Sequence, residues 1–488
     1  MSTRTQRSVI ESSHWIGGEP ISSRSVTTVQ NPADVNEVVG TIPVGGSEEV
    51  DDAVRAANDA FQSWSRKPIQ ERAELLLQAS EEVLVEAERR AITLVRESGK
   101  ILTEAQGEQM AGSRVLRYYG EVGSSYSLVS EMDAPNGVVK IAREPMGVVA
   151  VIVPWNAPIL LGMLSVAPAL LAGNTVVVKP SREAPLALID FLKAVARLLP
   201  SGVINVVAGD EEVGNRLVTH PDVRRVMFTG STEVGRVVAA AAMETLKRVS
   251  LELGGNDPAL VLDDADLDGD IVPELIMSTF PTSGQVCYAV KRIYVPDSMY
   301  PDFVERFTSA AAELNVGNGL DPAADLGPLI NRRQLQFVKS LVSDAENRGA
   351  DVVPVGTALD PNSWDMGWFH LPTVVTEIDQ AADLVQTEQF GPVIPILRYG
   401  SIEQGIRLAN DTSYGLASSI WTSDEERGFD LARLLEAGTT FVNTHRPGSS
   451  AVDMPFGGMK ESGIGRGHGI VALDEQFELH TISSRRPG

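Results

Sequence analysis

Apolar residues at 50, 54, 57, 61 and 64 recur at helical spacing, so residues 47–64 read as an amphipathic helix. A second helical stretch runs from about 68 to 98, with Gly99 as its expected stop. Residues 130–143 alternate through Val138, Lys140 and Ala142 and contain Asn136-Gly137, a two-residue hairpin signal. An exposed hairpin of this kind can pair with the edge of another subunit. Between 148 and 262 the pattern becomes short apolar runs at 148–153, 175–178, 203–207, 226–228, 249–253 and 259–262. Helical stretches separate several of them, which predicts a doubly wound parallel sheet whose strands are buried on both faces. A second αβ pattern follows from 290 to about 437, including a strand-like run at 393–397. The tail after Gly469 is short and polar at its end.

One stretch invites a different reading. Residues 145–178 carry no charged side chain, which is long enough for a bilayer span. Pro145, Pro154, Pro158 and Pro168, with Asn156 and Asn174, divide it into strand, loop, short helix and strand. A buried βαβ unit is expected instead. No internal repeat, low-complexity segment or long linker interrupts the chain, so its domains should pack closely.

Composition narrows the classes. At roughly 100–200 residues per domain, 488 residues suggest two to four domains. A formal charge of −24 repels nucleic acid and anionic lipid, so no nucleic acid and no membrane is expected among the partners. One cysteine rules out an internal disulfide framework and a multi-cysteine metal site. It also suits a reducing compartment. The first 13 residues lack the apolar stretch of a signal peptide, and a cytoplasmic location is expected.

The candidate chemistry is weak piece by piece. Cys287, preceded by Gly284, is by itself more readily a buried small hydrophobe than a nucleophile. Glu252 ends an apolar strand and precedes two glycines, where it is either a general base or a partly solvated strand end. Asn156 follows another strand and suits an oxyanion donor or a turn. Gly230-Ser231 through Gly235 opens a helix and suits a phosphate, yet it is neither a dinucleotide fingerprint nor a Walker A loop. The run from Asp264 to Gly269 matches half of an EF-hand, but its twelfth position is Leu275 and Pro273 lies inside, so calcium is rejected. The six histidines show no metal-ligand spacing, and there is no G-x-S-x-G elbow.

Taken together, the order of the motifs resembles the aldehyde dehydrogenase superfamily over nearly the whole chain. The pieces are Pro154-Trp155-Asn156, Lys179-Pro180-Ser181, Phe228-Thr229-Gly230-Ser231-Thr232, Glu252-Leu253-Gly254-Gly255-Asn256 and Gly284-Gln285-Val286-Cys287. Glu388-Gln389-Phe390-Gly391-Pro392 and Pro455-Phe456-Gly457-Gly458-Met459-Lys460 follow. The resemblance implies an α/β fold with a Rossmann-like cofactor domain (1–121 and 144–252), an α/β catalytic domain (253–467) and a small oligomerisation hairpin with the tail (122–143 and 468–488). It implies oxidation of an aldehyde to an acid with NAD or NADP, in a homodimer or homotetramer. Cys287 would attack the aldehyde, Asn156 and the Cys287 backbone N–H would hold the oxyanion, and Glu252 would activate water against the thioester. Lys179 would bind the adenosine ribose, Ser231 the pyrophosphate and Glu388 the nicotinamide ribose, with Phe390 near the nicotinamide. Trp155, Ser181, Gly230, Gly235, Leu253 and Gly254 complete the implied cofactor site.

Three positions depart from the family pattern. Arg182 stands where many NAD-dependent relatives have Glu; Arg pairs with a 2′-phosphate, which suggests NADP use, or else it points into solvent. Thr282 stands where Asn is usual, and Gly467 where Glu commonly follows Arg, a position expected to be structural. Phe280, Val286 and Tyr288, with Trp155, are candidates for a hydrophobic pocket, while His445 and Arg446 are candidates for binding the carboxylate of a semialdehyde. Two alternatives remain: a CoA-acylating enzyme, against which Glu252 argues, and a silent structural relative.

Overall fold

The computed structural model describes residues 9–134, 137–445 and 452–485. Its larger sheet has eight strands in the order Gly463–Ile464, Arg248–Glu252, Val223–Thr229, Val148–Ile152, Thr175–Lys179, Ile204–Val206, His14–Ile16 and Glu19–Ile21. The strands from Arg248–Glu252 to Ile204–Val206 are mutually parallel, as the apolar runs predict. From Val148–Ile152 the chain winds first to Thr175–Lys179 and Ile204–Val206, then crosses to Val223–Thr229 on the other side. The order therefore reverses between Val148–Ile152 and Val223–Thr229. In open α/β sheets a ligand crevice forms beyond the strand ends at such a reversal. Trp155 and Asn156 leave one of these strands, and Gly230 and Ser231 leave the other.

The uncharged stretch becomes strand Val148–Ile152, helix Pro158–Ala172 and strand Thr175–Lys179. The helix is buried nearly all round, which explains why it lacks a polar face. Among the described residues no helix is long and apolar enough to cross a membrane.

Two expectations need correction. The run at 259–262 does not join the first sheet. Strand Asp257–Val261 lies inside a second, seven-stranded sheet, between Val290–Pro296 and Ala417–Trp421. Residues 253–256 carry the chain from one sheet to the other, and an apolar run does not say which sheet will bury it. The helix expected over 68–98 is two, Ile69–Val85 and Ala87–Ser98, broken at Glu86 (φ −107°, ψ 19°). No Gly or Pro marks the break. Instead the buried Arg90 guanidinium reaches back to the Val83 carbonyl and satisfies an acceptor that the first helix leaves open. Gly99 does end the second helix, at φ 83° with its N–H on the Val95 carbonyl.

The second sheet runs Asp351–Pro354, Thr373–Thr376, Val393–Tyr399, Val290–Pro296, Asp257–Val261, Ala417–Trp421 and Thr439–Val442. A third, three-stranded sheet places Gly137–Pro145 between Val129–Ala134 and Phe477–Arg485. The hairpin is thus present, and the tail supplies its third strand; Asn136 lies outside the described residues.

Candidate active site

Cys287 follows a tight turn, Pro281–Gly284, and precedes strand Val290–Pro296. Thr282, Ser283 and Gly284 have φ of 51°, 57° and 75°, three left-handed residues in succession. That region is costly for a β-branched residue and easier for Asn, which is the physical meaning of the Thr282 departure. The surroundings hold the turn in place. Glu104 accepts the Thr282 N–H at 2.6 Å, and Ser283 Oγ donates to the Gly327 carbonyl at 2.7 Å. Gln285 donates to the Thr282 carbonyl at 2.9 Å and accepts the Ile330 N–H at 2.9 Å. A side chain at Gly284 would collide with the Gly391 carbonyl.

Asn156 reaches this loop directly: its Nδ2 donates to the Gln285 carbonyl at 3.0 Å. An amide nitrogen has two hydrogens, so one remains for an oxyanion. The Asn156 carbonyl accepts from Lys100 Nζ at 2.8 Å. Lys100 is paired with Glu108, which also accepts the Ile159 N–H at 2.8 Å, at the start of helix Pro158–Ala172. Lys100, Glu104 and Glu108 were not singled out from sequence. Their spacing of four was the available signal, and it reads equally well as a solvated helix face.

Glu252 ends strand Arg248–Glu252, and its Oε2 is buried without a hydrogen-bond partner. Burial pushes its carboxyl up to about 8, with Glu475 acting in the same direction and Arg466 against it. A Cβ at Gly467 would lie 3.7 Å from Glu252 Oε1, so the Gly467 departure sits at the site and leaves this side of the carboxylate uncrowded. Burial pushes the Cys287 thiol up to about 12; Lys291 opposes this, while Glu388, Asp257 and Glu252 add to it. Lys291, another residue the sequence reading missed, donates to the carbonyls of Val286 (2.9 Å), Cys287 (2.5 Å) and Ala289 (3.3 Å).

The crevice has the donor set for a nicotinamide dinucleotide. Ser231 caps helix Thr232–Met243, its Oγ accepting the Val234 N–H at 3.3 Å, and a helix N-terminus favours a pyrophosphate. Gly235 lets that helix approach Leu253, since a Cβ there would come within 2.5 Å of the Leu253 side chain. Gly230 donates its N–H to the Glu252 carbonyl at 3.1 Å, tying the phosphate turn to the strand that carries the base. Lys179 ends its strand with Nζ 3.3 Å from the Pro180 carbonyl, and Ser181 Oγ accepts the Glu183 N–H at 3.3 Å. Glu388 accepts the Gly255 N–H at 3.1 Å, and its carboxylate lies where any side chain on Gly254 would stand. Trp155 meets Phe390 edge to face at 5.5 Å.

Arg182 is exposed and bound to Asp210 at 3.2 Å. A 2′-phosphate would have to take it from that carboxylate.

The pocket candidates divide. Val286 and Tyr288 are partly exposed beside Cys287, and Tyr288 packs on Phe456 at 5.4 Å. Phe280 is 1% exposed and packs against Phe307 in the core of the second sheet. His445 is fully buried, with Nδ1 2.8 Å from Ser419 Oγ and Nε2 3.7 Å from Asp257. Its ring lies 5.3 Å from that of Phe441, tilted by 46°. Arg446 lies outside the described residues.

Comparison with known proteins agrees with this geometry. The chain matches the aldehyde dehydrogenase family over residues 19–482. It is 38% identical to a mitochondrial succinate-semialdehyde dehydrogenase of Arabidopsis thaliana, covering 96% of this chain and 88% of the relative. It is 36% identical to a probable NADP(+) succinate-semialdehyde dehydrogenase of Sinorhizobium fredii, covering 93% and 91%. The fold superposes on betaine aldehyde dehydrogenase from Staphylococcus aureus, crystallised with NAD+, at a TM-score of 0.92 and 31% identity over 97% of this chain and 94% of that one. The chain belongs to the aldehyde dehydrogenase family. It is an oxidoreductase that oxidises an aldehyde with NAD or NADP.

Proposed function

We propose that Cys287 is the nucleophile of this oxidation, that Asn156 and the Cys287 backbone N–H hold the oxyanion, and that Glu252 activates the hydrolytic water. The observation that carries this reading is the Asn156 amide bonded to the loop of the chain's single thiol, with the unpartnered carboxylate of Glu252 near enough for its charge to act on that thiol. Sulfur attack on the aldehyde carbon forms a hemithioacetal, and the negative oxygen meets donors already fixed in place. The bound nicotinamide supplies a hydride acceptor. Loss of hydride from the carbon leaves a thioester on Cys287. Glu252 takes a proton from water as that water attacks the thioester, and the acid leaves with the thiol restored.

Lys179, Ser181 and Arg182 are assigned to the adenosine end of the cofactor and Gly230, Ser231 and Gly235 to its pyrophosphate. Trp155, Leu253, Gly254, Glu388 and Phe390 are assigned to the nicotinamide end. Arg182 supports acceptance of NADP, and its bond to Asp210 works against preference for it. Comparable kcat/KM for the two cofactors is expected, and Asp210→Asn should shift the ratio toward NADP. A large NAD preference that Asp210→Asn leaves unchanged would remove Arg182 from cofactor recognition.

For the substrate we infer an aldehyde bearing a carboxylate. Both semialdehyde dehydrogenases above are named for such a compound, and Arg446 is the candidate to bind its acid group. The test is a panel of aliphatic, aromatic and acid-bearing aldehydes. Arg446→Ala should raise KM for semialdehydes alone, by roughly tenfold for the loss of one charged hydrogen bond; an equal change across the panel would refute it.

The same reading assigns 1–121 and 144–252 to cofactor binding, 253–467 to catalysis, and 122–143 with 468–488 to assembly as a homodimer or homotetramer. The exposed Val129 and Met132 on the outer strand of the third sheet support assembly with a second copy. A cytoplasmic location is proposed from the lone thiol, which suits a reducing compartment.

A further inference from the structure

Cys287 lies among more negative than positive groups. Glu252 acts on it from the strand of the first sheet, Asp257 from the neighbouring strand of the second, and Glu388 from the segment before Val393–Tyr399. The nearest ring to Asp257 across the sheet is that of His445, whose Nε2 lies 3.7 Å away. Among the described residues, the cation whose charge acts on the sulfur is Lys291. Its side chain is 2% exposed, and it turns back from the start of strand Val290–Pro296 under the nucleophile loop. An ammonium has three hydrogens, and here three carbonyls of that loop receive them, those of Val286, Cys287 and Ala289. Carbonyl dipoles orient the group without neutralising it. Its nearest carboxylate is Glu388, at 3.9 Å, too long for a direct hydrogen bond.

We propose that Lys291 is the counter-charge for the ionised Cys287 sulfur, that it fixes the backbone on which the sulfur is carried, and that Glu388 competes for that charge. This rests on the reading of Cys287 as nucleophile. The physical need is clear: a desolvated thiolate beside carboxylates is unfavourable unless a positive charge shares the same low-dielectric space. Lys291 is a positioning residue in this scheme, acting on the loop and the sulfur without touching substrate. Glu388 then has two attachments, to the cofactor and to Lys291, so removal of its charge changes thiol reactivity before any cofactor is present.

Because the chain has one cysteine, alkylation by iodoacetamide followed by mass spectrometry reports on Cys287 alone. The rate constant is measured on the full chain without cofactor from pH 7 to 10, for Lys291→Gln, Lys291→Arg and Glu388→Gln. Each unit of thiol pKa alters this rate by about threefold at fixed pH, since a more basic thiolate is also more nucleophilic. Lys291→Gln keeps a hydrogen-bond donor and loses the charge, and should slow alkylation about three- to tenfold; Lys291→Arg should stay within about twofold of wild type. Glu388→Gln should act oppositely and speed it about threefold. Equal rates for Lys291→Gln and wild type, equal slowing by Gln and Arg, or slowing by Glu388→Gln would each overturn the proposal. If Lys291→Gln does not fold, slowing by Glu388→Gln still overturns the proposal, and Lys291→Met is measured in place of Gln, with the same slowing expected and a wild-type rate overturning it. Failure of the parent reading is seen separately, as turnover that survives Cys287→Ser.

Discussion

Cys287→Ser is expected to bind NAD or NADP with a Kd within about twofold of wild type, while turnover falls by roughly three orders of magnitude or more. The site itself sets the size of this loss. It pushes even a thiol up to about 12, and a hydroxyl starts from a far higher value, so the serine oxygen will be ionised in a negligible fraction of molecules. The cofactor groups are on other elements: Ser231 caps its own helix, and Glu388 is held by Gly255. They should not sense the replacement of sulfur by oxygen. Fluorescence titration of the cofactor and NAD(P)H formation measure the two halves. Turnover within about tenfold of wild type would remove Cys287 from the chemistry.

Glu252→Gln should divide the reaction at a different place. The thioester still forms, so about one equivalent of reduced cofactor per site appears in a burst. Steady-state turnover then falls by about 10²–10⁴, the usual contribution of a general base. In the wild type, the carboxylate is the active form and the group has been raised from 4.5 to about 8. Hydrolysis of the thioester should therefore quicken as pH rises through about 8 and level above it. Glu252→Gln should lose that inflection. Stability moves in the opposite sense. Between the ordinary Glu value and about 8, the folded protein keeps a proton that the unfolded chain has released, so this group costs stability as pH rises across that window. The neutral amide has no such cost, and the melting temperature of Glu252→Gln relative to wild type should rise from pH 5 to pH 9. A wild-type steady-state rate flat from pH 6 to 9, with hydrolysis limiting, would refute the assignment.

The sequence was most informative where one chemical requirement fixed both identity and place. The apolar runs that precede Asn156 and lead up to Glu252 had to be buried in a sheet, and beyond such strand ends a polar side chain reaches a crevice. Ser231 was legible because a hydroxyl opening a helix caps it. Cys287 was legible through the order of the surrounding motifs and not through its own surroundings. What stayed hidden depended on partners distant in sequence. Periodicity shows that Asp257–Val261 is buried, but not that it is buried in the second sheet. His445 and Phe280 have the right chemistry for a pocket wall, yet packing against Ser419 and Phe307 takes both into the core. Lys100, Glu108 and Lys291 look like surface charges until the carbonyl and carboxylate groups that receive them are seen. The break at Glu86 has no local signal, because the group that makes it tolerable is Arg90.

The third strand of the small sheet sets an order of events during synthesis. Phe477–Arg485 pairs with Gly137–Pro145 residue for residue, a contact that closes across more than half the chain. Just before it, Glu475 accepts from Arg225 at 2.9 Å and from the Arg466 backbone at 3.0 Å, and it is among the charges that act on Glu252. These residues leave the ribosome long after the nucleophile loop has been made. Such long-range pairing forms late, because the entropy of closing the loop must be met first. A nascent chain can therefore carry Cys287 while the surroundings of its base are still missing.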